Sequence, residues 1–176
     1  MKILSIPNEN GKMTCFWEEG ASSGKKPLII CLADKEEDAQ RDLNLLFSQA
    51  NGASVAALVI YPQTEEQIVG DWLYSLRQRE DVDENRITLT GTLSAADWVW
   101  RLGSHFPQWF AGICAVGGYG DPYEVRAMKN VPVRAYLVEE EPQIIRKGKV
   151  AVNVDQLVMS LLTAGSECVE MRSMYG

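Results

Sequence analysis

Short unbroken apolar runs alternate with segments of helical periodicity along this chain, and that alternation limits the folds open to it more than any other feature. Leu28-Ile29-Ile30-Cys31-Leu32-Ala33, just after Pro27, and Val55-Ala56-Ala57-Leu58-Val59-Ile60-Tyr61, which stops at Pro62, read as strands covered on both faces. Between them, Ala39, Leu43, Leu46, Phe47 and Ala50 recur at three- and four-residue spacing, and Asn51-Gly52 closes an amphipathic helix over Glu36 to Gln49. Thr64-Glu65-Glu66-Gln67 has the form of a capping box, predicting a helix with Ile68, Trp72 and Leu76 turned inward.

The pattern continues through the second half. Arg86 to Thr90 reads as a strand, Ser94 to Gly103 as a helix, and Phe110 to Val116 as a strand ending at Gly117-Gly118. Asp121 to Lys129 is expected to form a short helix, Val131 to Val138 a strand, Val152 to Leu162 a helix with Gly165 at its C-cap, and Cys168 to Met174 a final strand. Strand–helix alternation with short connections implies right-handed crossovers: a three-layer α/β/α domain with a mostly parallel central sheet. At the start, Lys2 to Ile6 and Lys12 to Glu18 flank Asn8-Glu9-Asn10-Gly11, a hairpin turn that predicts antiparallel edge strands. No repeat, low-complexity segment or linker interrupts the chain, so a single domain over residues 1–176 is expected.

Composition narrows the function classes. With 17 basic and 24 acidic side chains, a net charge of -7 argues against a nucleic-acid partner, because phosphate binding needs clustered Lys and Arg. The only compact basic stretch is Arg146-Lys147-Gly148-Lys149. The N-terminus has neither the apolar core nor the small-residue cleavage site of a secretory signal, and no apolar run is long enough for a membrane span, so a cytoplasmic protein is expected. Cys15, Cys31, Cys114 and Cys168 are widely separated, without a C-x-x-C pair, and read as buried strand cysteines rather than a zinc or redox site. No metal or cofactor is expected. Gly117-Gly118-Tyr119-Gly120-Asp121-Pro122 lacks dinucleotide-binding spacing and reads as a flexible loop. A single histidine, His105, restricts any mechanism that needs an imidazole.

Asp83-Glu84-Asn85-Arg86-Ile87-Thr88-Leu89-Thr90-Gly91, followed by Trp100-Arg101-Leu102 and Phe106-Pro107, resembles the nucleophile-elbow region of α/β-hydrolases, notably small esterases, dienelactone hydrolases and polyhydroxyalkanoate-depolymerase-like enzymes. Pro27 to Ala33 resembles the strand before their oxyanion loop, Ile60-Tyr61-Pro62-Gln63 their "A-P-Q" turn, and Ala135 to Pro142 the strand that delivers the triad acid. The resemblance spans about residues 12–170 and implies an α/β-hydrolase-like fold.

At the catalytic positions the resemblance implies a degenerate triad. An elbow places its nucleophile on a sharp strand-to-helix turn between small residues. Ungapped alignment puts Leu93 at the nucleophile position and Ala95 at the second glycine; a one-residue slip would put Ser94 there, between Thr92 and Ala96. Otherwise Ser94 serves as an N-cap for a helix starting at Ala95. Ala33-Asp34 stands where the family has His-Gly, and a carboxylate there opposes developing negative charge, since like charges ~4 Å apart repel by about 1 kcal/mol even in water. Glu141, before Pro142, is an acceptable triad acid by resemblance, or else part of a solvated acidic loop. The family histidine is expected in a turn after the last strand, where this sequence reads Ser173-Met174-Tyr175-Gly176. His105 does not replace it: eleven residues beyond Ser94 on one helix is about 16 Å.

Three readings follow. The first is a catalytically degenerate hydrolase-fold protein that binds a small molecule or a protein at the former active-site edge, with Asp34, Gln63, Ser94, Tyr119 and Glu141 as candidates. The second is an active serine esterase using Ser94 with an unconventional or partner-supplied base. The third is a structural subunit that forms a homo-oligomer.

Overall fold

A computed structural model describes residues 1–5, 13–61 and 63–174. The turn expected at Asn8–Gly11, along with Pro62 and the last two residues, lies outside them. Two compact units divide the chain, Met1–Thr88 and Leu89–Gly176.

In the first unit the strands are β1 (Lys2–Ser5), β2 (Met13–Glu18), β3 (Lys26–Ala33) and β4 (Ser54–Ile60), in the order β1-β2-β4-β3. The strands β1 and β2 are antiparallel, with Leu4 opposite Cys15, and β2 and β4 are antiparallel, with Phe16 opposite Ala57. The first agrees with the antiparallel hairpin read from sequence, whereas β2 lies between β1 and β4 rather than at an edge. The βαβ unit is the pair β3 and β4, parallel with Cys31 opposite Ala57, connected by α1 (Glu36–Ser48). All seven residues of β4 are buried, which is why its sequence shows no polar alternation. Alternate residues Val55, Ala57 and Val59 join Phe16, Cys31 and Ala33 in one cluster with Ala39 and Leu43 of α1, and Leu46, Phe47 and Ala50 pack on its margin. Each large side chain removed from water there contributes about 1.5–3 kcal/mol.

Helix α2 (Glu66–Arg77) buries Val69, Trp72, Leu73 and Leu76, but the expected capping box does not form. Glu65 holds the cap position with no side-chain bond, and the Thr64 hydroxyl instead donates to the Tyr61 carbonyl at 2.7 Å, closing the turn behind it. Local Ser/Thr hydroxyl-to-carbonyl bonds of this kind compete directly with capping.

Strand β5 (Val82–Thr92) runs from the first unit into the second; Ile87 and Leu89 are buried, whereas Glu84, Asn85 and Arg86 are exposed. In the second unit β6 (Gly112–Val116), β7 (Val133–Leu137) and β10 (Val169–Ser173) lie in the order β6-β7-β10, all parallel, with Ala115 and Met171 both opposite Ala135. Helix α3 (Ser94–His105) follows β5 and buries Ala95, Ala96, Val99, Trp100 and Leu102. Residues Glu124–Met128 form a 3-10 turn rather than a full helix. Helix α4 (Val154–Thr163) is capped by the Asn153 side chain, which accepts from the Gln156 amide at 3.4 Å, and it ends in a Schellman turn. There Ala164 is the cap residue, Gly165 follows it, and the Ser166 amide donates to the Leu161 carbonyl at 2.9 Å.

A two-stranded hairpin not expected from the sequence, β8 (Gln143–Arg146) and β9 (Lys149–Val152), pairs Ile145 opposite Val150. Its turn residues Lys147 and Gly148 both have positive φ, 48° and 75°, the type I′ arrangement that matches the twist of a tight hairpin.

The cysteines depart from the buried-strand reading at one place. Cys15 and Cys31 are buried and Cys114 is half-buried, but Cys168 is exposed, one residue before β10 begins. Burial pushes the Cys15 and Cys31 thiols up to about 12, so both stay protonated and inert at neutral pH.

Candidate functional site

The sharpest backbone feature of the second unit is the junction of β5 and α3. Leu93 adopts φ 56°, ψ -121°, a conformation that L-residues occupy only when their surroundings force it. Two bonds hold it there. The Leu93 amide donates to the Val116 carbonyl at the end of β6, 2.8 Å away, and the Leu93 carbonyl accepts from the Ala96 amide at 2.9 Å, opening the helix. Gly91 makes the turn sterically possible: a Cβ on it would lie 3.1 Å from the Ala95 carbonyl oxygen and 2.8 Å from a Val99 methyl. The geometry is that of a strand–turn–helix elbow between small residues, with a leucine at its apex. The Leu93 side chain is 51% exposed, so packing does not explain why it sits there.

Ser94 is exposed and lies inside α3 as its first residue, one position past the strained turn. This corrects its reading as an N-cap: Leu93 holds the cap position, and no side chain there bonds to the helix amides. Asp34 and Gln63 lie in the first unit, past the C-terminal ends of the parallel neighbours β3 and β4; Asp34 is half-buried and Gln63 is exposed in a turn with φ 70°.

The glycine-rich segment after β6 is not the flexible loop its composition suggests, because successive amides are all bonded. Gly117 donates to the Tyr136 carbonyl at 2.9 Å, Gly118 to Glu140 Oε1 at 3.3 Å, Tyr119 to Asp97 Oδ1 at 2.6 Å, and Gly120 to the Val152 carbonyl at 3.0 Å. Gly118 also lies hard against α3, where a Cβ would come within 2.8 Å of the Ala96 methyl, and the Trp100 indole donates to the Gly117 carbonyl at 3.1 Å. Glycine here serves close approach to a helix rather than mobility.

Two carboxylates that sequence reasoning did not single out converge on this segment. Asp97, on the first turn of α3, is buried. It accepts from the Tyr119 amide on one oxygen and from Arg146 of the β8–β9 hairpin on the other. Burial raises its carboxyl above the usual range, while the Tyr119 amide and the Arg146 guanidinium pull it back down. Glu140 turns toward the loop, and Glu141, the residue expected to serve as the acid, is exposed. The Glu140 Oε2 is buried without a hydrogen-bond partner among the described residues, and burial raises this carboxyl too. Tyr119, half-buried, is covered by the Arg146 guanidinium, 5.9 Å from its ring centre. Its phenol is raised first by burial and then by the charges of Glu140, Glu141 and Asp97.

His105 ends α3, with Nε2 2.9 Å from Glu124 Oε2, a full helix length from the elbow. Among the described residues, no three His, Cys, Asp or Glu side chains group as metal ligands would, and no helix is long and apolar enough to cross a membrane.

Comparison with solved structures decides the fold. A thermostable esterase superposes over 99% of this chain with a TM-score of 0.76 at 16% identity. The fold is that of the α/β-hydrolases. A protein described as a dienelactone hydrolase from Klebsiella pneumoniae matches 98% of the chain with a TM-score of 0.71 at 18% identity, and the chain covers 83% of it. A carboxyl esterase from the fungus Tuber melanosporum matches 98% of the chain, with 75% of its own length covered, at a TM-score of 0.67 and 13% identity. Of the thermostable esterase, the chain spans 54%, about half. No protein-family profile and no curated protein sequence matches this one. The α/β-hydrolase fold therefore stands on superposition over nearly the whole chain, and a shared fold does not carry an activity with it.

Proposed function

We propose that this α/β-hydrolase-fold protein is catalytically degenerate and acts by binding a small molecule or a protein at the edge where the fold ordinarily does chemistry. The observation that carries this reading is Leu93 at the apex of the elbow, strained and half-exposed. The elbow exists to hold a nucleophile above the sheet, and a hydrocarbon side chain has no lone pair to attack with. The surrounding electrostatics support the same reading. Acyl transfer needs donors aimed at a developing oxyanion. Beside this turn, Asp97 and Glu140 contribute negative charge, which opposes a developing oxyanion. Leu93 is half-exposed on the turn that opens α3, whose first turn carries Asp97, and this leaves the turn open to contact.

The test is hydrolysis of p-nitrophenyl esters by the parent protein and by Ser94→Ala. The expected result is the same background rate for both. Turnover that disappears in Ser94→Ala would overturn the proposal and make Ser94 a working nucleophile.

A further inference from the structure

The Arg146–Asp97 pair carries an inference of its own. The two residues lie 49 positions apart, and the hairpin bearing Arg146 has little else to hold it down. Ile145 is 76% exposed and Val150 49%, and Val152 at the base is the one buried apolar side chain of the hairpin. A two-stranded ribbon of this kind is marginal in water by itself. Its base is fixed: Gly120 and Val152 exchange backbone bonds of 3.0 and 2.9 Å, and the Asn153 amide donates to the Pro142 carbonyl at 3.0 Å. Arg146 sits beside the turn, three residues along β8 and about 10 Å from its first residue at ~3.3 Å per residue.

What Arg146 occupies is built for a guanidinium. The Asp97 side chain is 9% exposed and already fixed by the Tyr119 amide, and the Tyr119 ring provides a face for a flat cation. We propose that Asp97 and Tyr119 form a guanidinium seat beside the elbow, and that the β8–β9 hairpin is a strap that fills this seat with Arg146 until a ligand bearing a guanidinium group takes its place. The proposal names the ligand class for the binding surface proposed above, and rests on that reading for its location alone.

The test uses the full chain with Arg146→Gly and reads backbone hydrogen exchange, so it is independent of any esterase assay. Loss of one charge-assisted hydrogen bond corresponds to about tenfold faster opening or more, and exchange across Gln143–Val152 and at the Tyr119 amide is expected to accelerate accordingly. Millimolar methylguanidinium then slows exchange at Tyr119 saturably. Methylammonium at the same concentration does not, and neither cation acts on the Asp97→Asn, Arg146→Gly double variant. Unchanged hairpin exchange in Arg146→Gly would overturn the strap, and a Tyr119 amide indifferent to methylguanidinium would overturn the seat. If Arg146→Gly loses its circular dichroism, Arg146→Lys takes the same titration, since it keeps the charge but lacks the planar fork.

Discussion

Leu93 bears a backbone conformation of the kind that costs about 1–3 kcal/mol in a residue with a Cβ. Leu93→Gly removes that strain and forfeits little burial, since half the side chain is in water. After the extra unfolded-chain entropy of glycine, about 0.5–1 kcal/mol, the variant is expected to be more stable by about 1 kcal/mol, read from its denaturant midpoint. A destabilised variant would mean that the turn is not strained. Glu140 gives a second prediction with a definite sign. Its carboxyl is raised chiefly by burial, against the Gly118 amide and with the charge of Asp97. A raised acid holds its proton more tightly in the folded state, so stability is present below the ordinary glutamate range, about 4.3, and falls as pH climbs from there through the raised value. Glu140→Gln escapes this loss, so it is expected to melt higher than the parent at neutral pH, the gap closing near pH 4. A gap that persists or reverses in acid would contradict it. At this scale the strand-to-helix junction between Thr90 and Ser94 was legible from the residues, whereas Leu93 at its apex came from the family resemblance. The Asp97–Arg146 pair was not legible, because apolar periodicity says nothing about which polar side chains meet across 49 residues.

Elements were legible in proportion to how strongly burial patterned them. β4 and α1 stand out because every strand position, or one helical stripe, is covered. The α2 cap was not legible because a local hydroxyl-to-carbonyl bond of Thr64 sets it, and β5 runs longer, Val82–Thr92, than the apolar stretch that marked it. The β8–β9 hairpin is not legible for a physical reason: with most of its residues exposed, it lacks the alternation that marks a half-buried strand, and its Lys-Gly turn reads as part of a basic run. Gly148, at φ 75°, is the residue on which that turn depends. Gly148→Ala is expected to cost the hairpin about 1 kcal/mol, accelerating exchange across Gln143–Val152 while leaving α4 protected. Equal acceleration in α4 would show that the hairpin does not open as a separate element.

For the whole molecule, the α/β-hydrolase fold was legible because strand–helix order is written along the entire chain, and esterases at 16% identity or less share it over nearly all of this length. At the elbow the turn, its flanking small residues and its backbone bonds are all in place around a leucine, and the proposed loss of activity rests on that residue. His105, the histidine of this sequence, lies at the far end of α3 and bonds to Glu124, away from the elbow. The direct measurement is exposure of the intact chain to a fluorophosphonate probe, followed by mass analysis, because such probes phosphonylate only an activated hydroxyl. The expected result is no adduct on any residue. A stoichiometric adduct on Ser94 would contradict the account.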